Sequence, residues 1–178
     1  MRARVARPIL ADDFMPRRHP LDDIAIARAL HVLALVHWIG GVTLVTLVIL
    51  PAVARFSEPQ RRAALFEEIE GRFAFQAKIA VTLAGLSGFY MTWRLEAWDR
   101  FGDPAFWWMH AMLLVWALFT FVLFVAEPLF LHDWFRRRAA RDAESTFALV
   151  LRFHRVLLTL SLLTIAGAVL GGHGSFLF

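Results

Sequence analysis

Four long apolar runs, at about residues 24–53, 73–93, 105–131 and 147–170, constrain this chain more than any other feature. An α-helix rises about 1.5 Å per residue, so about 20 helical residues cross the ~30 Å hydrocarbon core of a bilayer. Each run reaches that length. Hydrophobic residues make up 59% of the 178, and the mean hydropathy is +0.57, too apolar for an ordinary soluble domain. The predicted fold is all-α, an integral membrane four-helix bundle over residues 22–178, preceded by a basic flexible tail, residues 1–21.

Charge supports that reading. The net charge of +4 and the pI near 10.9 come from arginines that lie mainly between the apolar runs. Flanking Arg is what membrane topology requires, so nucleic acid is not an expected partner. The connections 54–78 and 132–146 hold nine Lys or Arg, the turn 94–104 holds two, and the tail 1–28 holds six. The contrast between the short loops predicts a multi-pass protein with the larger connections cytoplasmic and both termini outside; the expected location is a bacterial-type inner (plasma) membrane. The tail contains Pro8, Pro16 and Pro20 without an apolar core, which does not fit a cleavable signal peptide. The absence of cysteine removes disulfides, thiolate metal sites and covalently attached c-type haem.

Local signals set the boundaries. Asp22 and Asp23 suit a helix start, and Asp103-Pro104 marks another. Pro51 and Glu127-Pro128 fall near span ends, where a kink disrupts least. Residues 54–71 place Ala64, Leu65, Phe66 and Ile69 among charges, which predicts a short amphipathic connecting helix at the membrane surface. Gly85 and Gly88 allow close helix approach, and Gly171-Gly172-His173-Gly174 ends the fourth span.

The first span carries His31, His37 and Gly40-Gly41. Polar groups are expensive in a bilayer core and usually face other helices or carry function. His31 lies eight residues after Asp23 and His110 seven after Asp103, so both sit roughly 10 Å inside their helix starts. Two histidines at one depth on different helices suit the two axial ligands of haem b. Ala27, His31, Ala34 and Trp38 share a stripe, and His110, Leu114, Ala117 and Phe121 share another. Arg28 and Arg94 are placed to meet propionates. Trp38, and with a weaker claim Trp116, would pack near the ring. The competing reading makes both histidines interhelical hydrogen-bonding groups without a cofactor.

Other candidates have plainer readings beside the chemical ones. His37, about 120° from His31, is a bonded core residue or an alternate ligand. His173 is a terminal surface residue or a metal ligand, and His19 is solvated. Met109 and Met112, with Met91, could supply thioether ligands to copper, or simply fill gaps in the bundle. Trp93, Trp98, Trp107 and Trp108 read as an interfacial belt. Glu127, Lys78, Arg152, Arg155, His132 and His154 belong to the opposite side. They read as an ion-pair network at helix ends, with a proton entry path as the alternative.

Ala29-Leu30-His31, Trp38-Ile39-Gly40-Gly41 and Leu50-Pro51 resemble the first span of two families, the HemJ-type protoporphyrinogen oxidases and the copper-resistance D (CopD) membrane proteins. Trp108-Met109-His110 resembles the third-span histidine of the first family. The resemblance implies a four-helix membrane domain with b-type haem held at His31 and His110. The chain departs from the HemJ-type pattern at Met112, where Lys is expected, and at Phe153-His154-Arg155, where an Asn-Glu pair is expected. Those departures bear on protoporphyrinogen oxidation more than on haem binding. The copper-resistance resemblance implies copper handling.

The expected function is therefore an integral membrane b-type haem protein in electron transfer, a possible haem-dependent membrane oxidoreductase. Its expected partners are membrane lipid, a quinone or a membrane redox protein, and a second copy of the chain. The alternatives are a copper-binding or copper-transport protein and a cofactor-free helper subunit.

Overall fold

The computed structural model describes residues 22–174, and every regular element among them is helical. The tail expected over residues 1–21, with His19, lies outside the described residues. Helix α1 (Asp23–Leu44) runs through π-helical turns at Val45–Ile49 into α2 (Leu50–Phe56). Helix α3 (Pro59–Arg94) follows. Two 3₁₀ turns, Asp99–Gly102 and Pro104–Phe106, lead into α4 (Trp107–Phe121). A second π-helical stretch, Val122–Leu131, connects α4 to α5 (His132–Arg141), and α6 (Ala143–Gly172) closes the bundle.

The π turns sit where the sequence places proline inside an apolar run. Pro51 has no N–H and its ring crowds the carbonyl one turn back. The chain widens just upstream, and the Leu50 N–H reaches back five residues to the Val45 carbonyl. The second widened stretch contains Pro128 itself. Neither proline ends its rod. Asp22 caps α1, accepting from the Ile24 N–H, and Asp103 accepts from the Ala105 N–H. The amphipathic segment expected as a separate short helix is instead the first part of α3, continuous with the second apolar run through Gly71.

Three rods are long and apolar enough to cross a membrane: Asp23–Phe56, Pro104–Arg141 and Ala143–Gly172. Large apolar side chains cover the outside of the bundle as well as its core, and a few hydroxyls are buried. Leu33, Val36, Leu86, Leu114 and Leu163 are each more than 60% exposed, whereas Thr46, Thr146 and Ser161 are almost completely buried. The buried hydroxyls bond to carbonyls four residues back, Thr46 to Val42 at 2.6 Å and Ser161 to Leu157 at 2.8 Å. Helix α3 turns an apolar stripe outward, Phe75, Ile79, Leu83 and Leu86, and a small-residue stripe inward, Ala77, Ala80 and Ala84. Outward apolar and inward small residues are how helices associate in lipid.

Helix α1 packs mainly along α3, and α4 packs against α6 and α3. Helices α1 and α4 are thus diagonal, meeting inside the bundle where Trp38 stands edge-on to Phe119 at 4.8 Å between ring centroids. One core cluster surrounds that pair. A second joins Leu50, Val53, Phe66, Phe135 and Phe147 at the far end.

Candidate functional site around His31

The small-residue stripe of α3 makes a bed for the His31 ring. His31 Nδ1 lies 2.9 Å from the Ala84 carbonyl and 3.0 Å from Ser87 Oγ. A carbonyl can only accept, so Nδ1 carries the proton and Nε2 presents its lone pair. Ser87 Oγ in turn donates to the Leu83 carbonyl at 2.6 Å. Gly88 completes the bed: a Cβ there would stand 3.2 Å from His31 Cε1. Ala84, Ser87 and Gly88 escaped sequence reasoning as site residues. Their signal was the repeat of small residues at helical spacing opposite a half-buried histidine.

A histidine anchored through Nδ1–H to a carbonyl is oriented as metal-ligating histidines are, with Nε2 as the donor atom. Two turns along α1, Trp38 is 2% exposed and its Nε1 has no hydrogen-bond partner. A buried, orphaned N–H on the His31 stripe is a place where a ligand would find a donor.

The other expected residues lie elsewhere. His110 is exposed on α4, its Nε2 donating to the Phe101 carbonyl at 3.0 Å and its ring edge-on to the Phe101 ring. It braces the 3₁₀ turn and does not turn inward to His31. The physical reason is facing: His110 projects from the exposed side of α4 onto the Asp99–Gly102 turn, while the neighbour that His31 meets is α3. Arg94 is already engaged by Asp23, at 2.8 Å, and Tyr90 shares the same carboxylate at 2.8 Å. Arg28 is exposed. Trp116 donates from Nε1 to the Val81 carbonyl across Gly85 and lines an apolar groove with Phe89, Thr82, Thr120 and Phe124.

His37 is exposed on the outer face of α1, and not a bonded core residue. His173 is exposed at the end of α6, donating to the Val169 carbonyl at 2.7 Å. Met109 and Met112 are half-buried on α4. Among the described residues no group of three or more His, Asp or Glu is arranged to hold a metal ion. Trp107 and Trp108 are packing residues and not a belt: they press into Gly167 and Gly171 of α6, where any Cβ would collide with their rings. At the opposite end the expected ion-pair network is present in part. Lys78 pairs with Glu127 at 3.3 Å, and Glu67 lies 3.9 Å from His132.

No family model matches the chain, and no curated protein or solved structure is similar to it.

Proposed function

We propose that this chain is an integral membrane redox protein that holds haem b through His31. The observation that supports this most is the His31 ring itself, fixed by Nδ1–H to the Ala84 carbonyl with Nε2 free as a donor atom. The buried Trp38 Nε1, without a partner on the same stripe, adds support as a donor beside that ring. Haem would supply one-electron transfer. The protein residues would hold the ring, keep water from it and set its surroundings. His110 would hold the group as well only if its Nε2 left the Phe101 carbonyl. In this reading α3 crosses as the fourth span, and the protein sits in a bacterial-type inner membrane with both termini outside, as the loop charges favour. The apolar groove along Trp116 opens to lipid, as access for a quinone requires.

An absorption spectrum of the purified full chain tests the reading. A Soret band with sharp bands on reduction is expected. His31→Ala is expected to lose the haem, and His110→Ala to keep it with an altered spectrum. A colourless protein with stoichiometric copper would replace this reading by copper handling at His31 and the α4 methionines. Protein with neither would leave a helper subunit.

A further inference from the structure

At the end of the bundle away from His31, α5 and the first half of α6 carry arginines without counter-charges. Trp134, Arg137, Arg138 and Arg141 stand at i, i+3, i+4 and i+7 of α5, so they share one face, and all four are exposed. Phe135 pins the helix from inside, buried in the far core cluster. Leu129 and Phe130 are exposed just ahead of Trp134. The apolar outer surface thus gives way to an indole and then to guanidinium groups, the order found where a bilayer core meets its headgroups.

A second pair of arginines marks the same kind of boundary on α6. Residues 156–172 contain no charged group. At about 1.5 Å each they cover about 25 Å, most of a hydrocarbon core. Arg152 and Arg155 stand just outside that stretch, three residues apart and therefore neighbours on the helix surface. Both are exposed, beside exposed Phe153 and Val156.

The charges do not balance. Residues 131–155 hold six arginines and three carboxylates. Asp133 pairs with Arg136 at 3.6 Å, and Asp142 caps α6, accepting from the Ser145 N–H at 2.9 Å. Glu144 stands in the first turn of α6, where the helix dipole favours it. Among the described residues, Arg137, Arg141, Arg152 and Arg155 have no ion-pair or hydrogen-bond partner. Arg138 meets neutral groups, the Trp134 ring at 5.7 Å and Ser145 Oγ at 3.5 Å. Phosphate oxygens complement such groups, since one guanidinium can donate two parallel hydrogen bonds to them.

We propose that this face of α5, with Arg152 and Arg155 of α6, binds the headgroups of anionic phospholipids, whose phosphates accept from the guanidinium groups while Trp134 lies between headgroup and acyl chain. The proposal needs the bundle to cross a membrane and does not depend on haem. In the orientation that the loop charges favour, this is the cytoplasmic leaflet, where anionic lipid attracts basic segments.

Native mass spectrometry of the full chain, released from nanodiscs of equal phosphatidylglycerol and phosphatidylcholine, tests the proposal. Phosphatidylglycerol is expected to be enriched about fivefold among the retained lipids, the factor that one arginine contributes near an anionic surface. Substituting Arg137, Arg138 and Arg141 together by Gln is expected to remove most of the enrichment. The Arg152→Gln, Arg155→Gln variant, a separate set should the first not fold, is expected to reduce it. Arg100→Gln, a charge lost at the opposite end, is expected to leave it unchanged. Equal retention of the two lipids, enrichment that neither glutamine set lowers, or enrichment that Arg100→Gln lowers as much would overturn the proposal. So would lipid displaced by inorganic phosphate or by RNA, which would make this a site for a free anion or for nucleic acid.

Discussion

The His31 ring rests directly on Gly88, one turn beyond the Ala84 carbonyl that holds its Nδ1 proton. A Cβ at residue 88 would lie 3.2 Å from Cε1 and 3.6 Å from Nδ1. The ring cannot retreat without lengthening its 2.9 Å bond to Ala84. Overpacking of this kind costs about 1–3 kcal/mol, against a gain of about 1 kcal/mol for Ala over Gly in a helix. Gly88→Ala is therefore expected to lower stability by up to about 2 kcal/mol net, read by thermal unfolding in detergent. A stabilised variant would mean that the ring is not held where the contacts place it.

Gly171 and Gly172 are adjacent at the end of α6 and should respond oppositely to the same substitution. The Trp108 ring fills the space beside Gly171, while nothing lies near the missing side chain of Gly172. Gly171→Ala must push back a ring that is itself 6% exposed, and is expected to cost about 1–3 kcal/mol. Gly172→Ala is expected to be neutral or slightly stabilising. Paired melting curves give the comparison, and equal effects would contradict the wedge.

Asp23 ties the start of α1 to the end of α3, through Arg94 and Tyr90 at 2.8 Å each. The Arg94 and Asp23 side chains are each more than 40% exposed, so salt should screen the attraction. Arg94→Gln is expected to lower the melting temperature at low ionic strength and to have a smaller effect in concentrated salt. The Asp23→Asn, Arg94→Gln double variant should lose less than the sum of the two, because either change alone removes the pair. Strict additivity would show that the pair does not contribute.

The all-helical fold was legible because it rests on long apolar runs, and Asp22 and Asp103 mark helix starts that need only their own neighbours. Gly85 and Gly88 announced close packing, and both lie under rings, Trp116 and His31. What a periodic pattern does not carry is which helix stands next to which. Depth placed His31 and His110 on one level, but adjacency made Ala84 and Ser87 the partners of His31 and left His110 to Phe101. The same limit hid the charged contacts between α3 and the π-helical stretch. Glu67 read as part of the polar face of a separate surface helix, and only the unbroken run of α3 through Gly71 brings it into line with Lys78.

The braced turn offers a test independent of any cofactor. His110 joins α4 to the Asp99–Gly102 turn through the Phe101 carbonyl and the Phe101 ring. His110→Ala removes both contacts at an exposed site, where a hydrogen bond contributes about 1 kcal/mol. Faster amide exchange confined to residues near 99–103 is expected, with little change in global stability. Exchange that rises throughout α4 would instead make His110 an interior residue.

Stability should also depend on pH through Glu70. Its carboxyl has an ordinary value of 4.5 and is pushed up to about 7 by burial and by the neighbouring Glu127 and Glu67 carboxylates. Between those values the folded chain binds the proton and the unfolded chain releases it. Stability then falls as pH rises, since its slope follows the protons bound unfolded minus those bound folded. The penalty is absent below about pH 4.5, grows between 4.5 and 7, and is complete above 7. Glu70→Gln cannot ionise and should lose this component. The difference in melting temperature, variant minus native, is therefore expected to be larger at pH 8 than at pH 5. A difference that is flat with pH would show that Glu70 titrates alike in the folded and unfolded chain.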